Sequence, residues 1–451
     1  MAESKQSNFR VLVRALRHRN FRLFFVGQSI SLVGTWMQRI ALGWLVYRLT
    51  DSAFLLGLVS FSGQIPVLLL GPFAGVLADR INRHKLLIFT QTISMLQAAI
   101  LATLVFADLI QIWQLVVLSL ILGITNAVDM PTRQSFMVQM IDDRDDLGNA
   151  IALNSSMVNG ARLIGPSAAG LLIVVAGEGL CFLINAITYL AVILSLLLMR
   201  VARPKRKPRS TRVWQELREG LSYAAGFEPI RAILLILALA SFVGMPYAVL
   251  MPIFARDILH GGPDALGFMM GASGIGALIG AYYLASRRSI VELGKMVPIS
   301  VTIVGLGLIL FSFSQILLLS MLLLLIIGIG QMIEMALSNT ILQTIVDEDK
   351  RGRVMSLYTV SIVGMMPLGS LVAGSAASHF GAPWTVRVAG IICIIGAAIF
   401  AGRLPTLRRL MRPIFVSKGI IPEIARGLHS ATEAPLPEKE GNQRSHRENR
   451  E

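Results

Sequence analysis

The stretch GVLADRINRHK, residues 75–85, lies between two long apolar runs. It packs four basic side chains (Arg80, Arg83, His84 and Lys85) and one acid, Asp79, into a short loop. Charge placed there needs a reason, because the chain carries so little elsewhere. Of its 451 residues 54% are hydrophobic and only 15% charged, against about 25% charged in soluble domains. With a mean hydropathy of +0.68 such a chain cannot coat itself in water, so lipid is its solvent over most of its length. The net charge of +15 would suggest nucleic acid in a soluble protein. Here the basic residues gather in short gaps and in both tails, with no aromatic-and-basic stripe or zinc spacing. No nucleic-acid partner is expected; the pattern implies membrane topology.

Working outward, a helix needs about 20 mostly apolar residues to cross the hydrocarbon core. Twelve segments qualify: 21–47, 53–78, 86–107, 112–138, 149–175, 179–199, 231–255, 264–285, 295–314, 316–343, 353–378 and 384–404. The seams are turn-rich or charged, as in LTDSA, AGEG, HGGPD and DEDKRGR. The expected fold is an all-α membrane protein of two six-helix bundles, 21–199 and 231–404. A basic N-terminus (1–20) precedes them, and a tail (405–451), partly disordered, follows. The linker 200–230 opens as a basic, Pro-broken run. Its second half places Val213, Leu217 and Leu221 on one face, the pattern of an interfacial amphipathic helix. The first apolar segment is long and lacks a cleavage site, so no removed signal peptide is expected. Cys181 and Cys393 lie inside apolar runs, where neither a disulfide nor a metal site is expected.

Lys and Arg fall almost wholly in one set of alternate loops and in both tails. The opposite set holds only Arg48 and Arg256, with Arg387 just inside the last segment. The positive-inside rule then makes both termini cytoplasmic, in a multi-pass protein of the inner (plasma) membrane.

The halves repeat. GITNAVD (123–129) aligns with GIGQMIE (328–334) at an offset of 205, and Asp142-Asp143 falls on Asp347-Glu348. One deletion later Gly165 and Gly170 fall on Gly369 and Gly374. LLGLVSFSGQIP, in the second segment, matches ALGFMMGASGIG in the eighth. Parallel duplication of a six-helix unit places a substrate path between the halves, near the bilayer midplane.

Over residues 18–404 this organisation resembles the major facilitator superfamily. The family's loop signature G-x-L-[A/G]-D-R-x-G-R-[R/K] is met by Gly75, Leu77, Ala78, Asp79, Arg80, Arg83, His84 and Lys85. Asn82 replaces the usual Gly, as the side chain that best tolerates a left-handed backbone. GAYYLASRRS, the counterpart in the second half, keeps Arg287 and Arg288 without the acid. The resemblance implies a gating latch, with Asp79 capping the eleventh helix and Arg83 bonded to an acid on a neighbouring helix end. The family's relay acid aligns near Gln139–Met140, so DDRDD (142–146) must supply that partner. The simpler reading, topological anchoring, explains the basic charges but not Asp79. NGARLIGPSAAG, with Gly160, Gly165, Pro166 and Gly170, resembles the Gly-Pro motif of exporter branches; close helix packing with a kink explains it equally. GTWMQRIALGWLVYRLT and DMPTRQSF resemble the enterobactin-exporter and macrolide-efflux branch.

Polar residues recur at helical spacing in the segments that line the path in that family. The first carries Gln28, Ser31, Thr35, Gln38 and Arg39; the fourth Asn126, Asp129 and Arg133. The tenth repeats the latter with Gln331, Glu334 and Ser338, and the seventh adds Ser241 and Tyr247 beside Pro246. A buried charge costs about 2.5–3.5 kcal/mol on insertion scales and marks function by default. An ion pair that only ties helices together is the competing reading, and for Arg162 on the fifth segment the two stand level. Arg133 sits one turn from Asp129, where the second half has Ser338 beside Glu334. Glu334 is therefore expected to carry the coupling proton, and Asp129 to shape the path or brace helices. The expected activity is proton-coupled export of a hydrophobic or amphipathic small molecule, drug or siderophore, by a monomer without cofactor. A lipid or lysophospholipid flippase on the same scaffold is the alternative. A membrane enzyme lacks any HExxH, nucleophile elbow or His/Asp cluster. A receptor or scaffold lacks long structured loops, and no Walker loop points to ATP.

Overall fold

The computed structural model describes residues 13–141, 143–201, 213–286 and 293–418. Expectations that rest on 1–12, Asp142, 202–212, Arg287, Arg288 and 419–451 lie outside the described residues. So do the surroundings of Gly75, Asp79, Arg80 and Arg144, and with them the Asp79 latch.

The apolar runs become helices, and no strand occurs among the described residues. They are α1 (Arg19–Thr50), α2 (Ala53–Arg80), α3 (Arg83–Phe106) and α4 (Ile112–Met137). Leu147–Leu197 follows as one run that breaks at Gly177 into α5 (147–176) and α6 (178–197). The second bundle holds α7 (Glu228–Ile258), α8 (Pro263–Ala285), α9 (Leu293–Phe311), α10 (Leu317–Ile345), α11 (Arg351–Phe380) and α12 (Ala382–Ser417). Among the described residues ten helical stretches are long and apolar enough to span a membrane. That number treats 147–197 as one and leaves out α1, so every expected segment has its helix. Gly177 (φ 74°) and Gly381 (φ 82°) make the sharp turns into α6 and α12, a conformation glycine adopts without penalty. They stand 204 residues apart, the offset that also relates Gly170 to Gly374.

Three boundaries differ from the expected ones. α12 runs past 404 to Ser417, because Leu407, Met411 and Phe415 continue its buried stripe between the arginines. Asn82 is not left-handed (φ −66°). It is the N-cap of α3, its Oδ1 accepting from the His84 and Lys85 amides at 3.0 and 3.3 Å. The linker helix Val213–Gly226 docks on the second bundle. Glu219 pairs with Arg353 at 3.0 Å, the Tyr223 hydroxyl donates to Asp347, and Ala224 is buried, while Leu221 stays exposed.

The start of α1 and the end of α12 lie on one face of the helices, here the terminal face, and the turns at Gly177 and Gly381 on the other, far face. In the far half one core draws on both bundles, from Met37, Leu45 and Leu56 to Phe254, Leu266 and Val386. In the terminal half each bundle has its own core, around Phe21, Phe136 and Leu196 in one and Ile230, Leu337 and Phe400 in the other. The bundles are thus joined across the far half and separate toward the terminal face.

The junction is backbone on backbone. A Cβ on Gly57 (α2) would lie 2.6 Å from the Ser370 oxygen and 3.0 Å from Gly374 Cα; one on Gly374 would lie 2.7 Å from the Ala53 oxygen. α5 meets α8 in the same way. A Cβ on Gly170 would lie 2.6 Å from the Pro263 oxygen, and one on Gly267 would lie 2.6 Å from the Pro166 oxygen. Small residues permit this approach where apolar lipid supplies no hydrophobic force between helices.

Gly374→Ala is expected to weaken far-face closure by about 1–3 kcal/mol, the usual cost of overpacking. Spin labels at Leu109 and Ile316, on far-face loops of opposite bundles, should report a longer distance in this variant. Gly160→Ala, where a Cβ meets nothing within 4 Å, should leave the distribution unchanged.

Candidate functional site

The polar stripe of α1 divides between bracing and the gap. Gln38 is taken up inside its own bundle: its Nε2 donates to Gln97 of α3 at 3.0 Å, and its Oε1 accepts from Asn185 of α6 at 2.7 Å. The Thr35 hydroxyl donates to the Ser31 carbonyl. Gln28 and Ser31 are buried, and Gln28 Oε1 has no hydrogen-bond partner among the described residues. Arg39 is solvent-accessible, its guanidinium 4.5 Å over the Trp36 ring.

Asp129 on α4 is 3% exposed and fully engaged. Its Oδ1 accepts from Thr90 Oγ1 and Gln91 Nε2 of α3, each at 2.8 Å, and its Oδ2 pairs with Arg133 at 3.3 Å. Arg133 and Asn126 are half-buried. The acid therefore looks into its own bundle.

Glu334 occupies the equivalent place on α10 and is 2% exposed. No cation lies within ion-pair distance of it among the described residues, and neither its Oε1 nor the Ser338 hydroxyl has a hydrogen-bond partner there. Gln331, one turn before, donates to the Gly244 carbonyl at 3.3 Å. That carbonyl ends a widened π-turn (Ala240–Gly244) in α7, followed by a tighter 3₁₀ turn at Pro246–Leu250. π-turns of this kind often sit at functional positions.

Arg162 of α5 lies at the seam between bundles, its carbonyl 3.2 Å from where a Cβ on Gly274 of α8 would sit. Ser273, next to Gly274, shares a 3.1 Å hydrogen bond with the Tyr247 hydroxyl of α7. α5 stays helical through Pro166, so its motif works by close approach. A Cβ on Gly165 would lie 2.5 Å from Trp36 Cβ of α1, while Pro166 and Gly170 face Gly267.

The far-face arginines that break the charge asymmetry all have partners. Arg48 forks onto Glu178 at 2.7 and 3.1 Å, and Arg256 pairs with Asp51 across the bundles beside a Tyr47–Asp257 hydrogen bond. The Arg387 guanidinium lies 3.8 Å from the Phe313 ring centre.

One constellation was missed in the sequence. Asp143 and Asp146, expected to serve Arg83, receive the N-terminal segment. Arg17 reaches both acids at 2.7 Å, His18 reaches Asp146 at 2.8 Å, Arg14 bonds the same carboxylate, and the Ala15 amide donates to Asn149. Burial alone would raise the Asp146 carboxyl. Hydrogen bonds from His18 and Arg14, with the charges of Arg14 and Arg17, outweigh it and hold the group below the usual carboxylate range. A depressed carboxyl contributes its stability above the unfolded value and loses it as pH falls through the folded one. This dock therefore persists at neutral pH. The only sequence signal was the spacing of three basic residues at 14, 17 and 18, which read as a basic tail.

Comparison with known proteins agrees with this architecture. The transmembrane secretion effector family matches residues 13–412. The chain is 28% identical to the staphyloferrin A transporter of Staphylococcus aureus, over 85% of this chain and 96% of that one. It is 25% identical to macrolide efflux protein A of Streptococcus pyogenes, over 87% and 99%. Among solved structures, a bacterial homologue of the human lysosomal transporter Spinster, inward-facing and unoccupied, superposes with a TM-score of 0.62. That match has 15% identity over 88% of this chain and 98% of that one.

Asp129→Asn removes the charge from three partners and should lower stability by about 1.5–3 kcal/mol, the range for hydrogen bonds to charged groups. Thermal unfolding in detergent measures it. A midpoint equal to the parent's would show that the acid does not brace α3 to α4.

Proposed function

This chain belongs to the transmembrane secretion effector family of the major facilitator superfamily, and we propose that it exports a hydrophobic or amphipathic small molecule, drug or siderophore in type, in exchange for protons. That it is a multi-pass membrane transporter, not an enzyme, follows from the family. Efflux as the direction takes its support from macrolide efflux protein A among the relatives.

One observation carries the proton assignment: Glu334 is a buried acid without a compensating cation. An isolated carboxylate is costly to keep ionised in an apolar interior, so a group so placed can take and release a proton as access to it changes. Asp129, held by three side chains, has no such freedom. Gln331 ties α10 to the irregular turn of α7, three residues before Tyr247. A change of charge at Glu334 thus acts on the helix that carries Tyr247. The terminal face, toward which the bundles part, is assigned to the cytoplasm of a bacterial inner membrane by its charge excess.

Glu334→Gln is expected to abolish uphill, proton-driven export from vesicles while substrate binding survives; continued uphill export would remove Glu334 from the coupling step. A cysteine placed at Ser417 should react with an impermeant maleimide only after the cells are permeabilised. Labelling of intact cells would reverse the topology.

A further inference from the structure

Several arginines of the membrane-spanning segments are matched by the protein's own side chains. Arg48, Arg133 and Arg256 each face a carboxylate, and Arg387 lies over aromatic rings. Arg39 and Arg162 have no carboxylate within ion-pair distance among the described residues. Both stand three residues from the point where Trp36 of α1 meets Gly165 of α5. The buried acids do not compensate them: Asp129 is bonded to Thr90 and Gln91 of α3, and Glu334 makes no ion pair among the described residues.

Their place in the fold sharpens the point. α1 and α5 cross at Trp36 and Gly165, next to both residues. The Arg162 carbonyl lies 3.2 Å from where a Cβ on Gly274 of α8 would sit, so Arg162 is at the seam between the bundles. Arg39 is accessible although Met37, Gln38 and Ile40 around it are buried, and its guanidinium lies over Trp36, the side chain that meets α5. Across the seam stand the Tyr247 and Ser273 hydroxyls, which can donate to an oxygen as well as to each other. Two like charges kept together without a counter-charge are costly away from bulk water. The missing counter-charge is one that a bound molecule can bring.

We propose that Arg39 and Arg162, with Tyr247 and Ser273 opposite, form a subsite for the carboxylate or phosphate group of an amphipathic anion. The planar guanidinium fork suits either oxyanion and would hold it by paired, charge-assisted hydrogen bonds. Trp36, under Arg39, offers a flat face to an apolar neighbour of that group. This deepens the exporter reading and rests on it for the claim that the anion is cargo: the cargo is acidic, where a path lined by free carboxylates would take cations.

The test is equilibrium binding to the purified full chain in neutral detergent, without any gradient, so it can fail or succeed independently of proton coupling by Glu334. Citrate, inorganic phosphate and micelles doped with phosphatidylglycerol are titrated calorimetrically, with phosphatidylcholine as the uncharged control. At least one anion should bind, and Arg39→Gln and Arg162→Gln should each weaken it about tenfold or more. Arg39→Lys, which keeps the charge but loses the fork, should fall between. Binding of citrate or phosphate identifies a free acid as cargo; binding of phosphatidylglycerol alone identifies a lipid headgroup. Unchanged affinity in the folded glutamine variants, or no binding of any of the three anions, overturns the subsite. Should one variant fail to fold, the other decides.

Discussion

Two glycine-on-glycine crossings hold this molecule in its present shape. At Gly57 against Gly374, and at Gly170 against Gly267, helices of opposite bundles touch backbone to backbone. The duplication makes the two crossings images of each other: Gly57 aligns with Gly267, and Gly170 with Gly374. Each copy thus supplies one glycine from its second helix and one from its fifth. In lipid, association rests on packing and on polar bonds. A methyl group at any of these four positions would push the bundles apart over a whole face. Because both crossings lie in the far half, the shared core forms there and the gap opens toward the termini. Gly364 against Leu68 extends the α2–α11 contact toward that gap, now through a side chain.

The charges follow the same division. On the closed side every arginine is matched, and the Arg256–Asp51 pair and the Tyr47–Asp257 bond cross from bundle to bundle. These contacts exist only while the far face is shut, so they favour closure together with the glycines. On the terminal side Asp146 gathers Arg14, Arg17 and His18 and ties the segment before α1 to the α4–α5 loop. That dock lies within one bundle and can ride with it. Between these two zones, the seam arginines Arg39 and Arg162 face no carboxylate of the protein's own among the described residues.

The helices and the duplication were legible because each rests on local pattern: apolar length, turn-rich seams, and a period near 205 residues. Gly177 was readable as a seam in AGEG, and its counterpart Gly381 in HFGAPW. What lay hidden depends on contacts distant in sequence. Hydropathy ends the twelfth span at 404, since Arg403, Arg408, Arg409 and Arg412 lower the average, yet one buried residue per turn is enough to continue α12. The glycines were found in register across the repeat, but nothing local says that the second helix of one half meets the fifth of the other. Within the polar stripes, Gln38 and Arg39 are adjacent in sequence and part company in space, one into a bundle and one toward the gap. Spacing assigns a face to a residue; only packing says what that face meets.

The sharpest case is the pair of acids. Asp129 and Glu334 occupy equivalent positions, and both are nearly inaccessible, so burial alone does not distinguish them. Their partners do. Three side chains share the charge of Asp129, and removing that charge costs about 1.5–3 kcal/mol, which is a structural commitment. Glu334 has neither cation nor hydrogen bond at Oε1, and where the first half has Arg133 its helix offers Ser338. A duplication begins with two copies of one site and leaves each free to change. In this chain the first copy surrounds its acid with three side-chain partners, and the second leaves its acid without a cation among the described residues. That difference in surroundings is the ground of the coupling role proposed for Glu334.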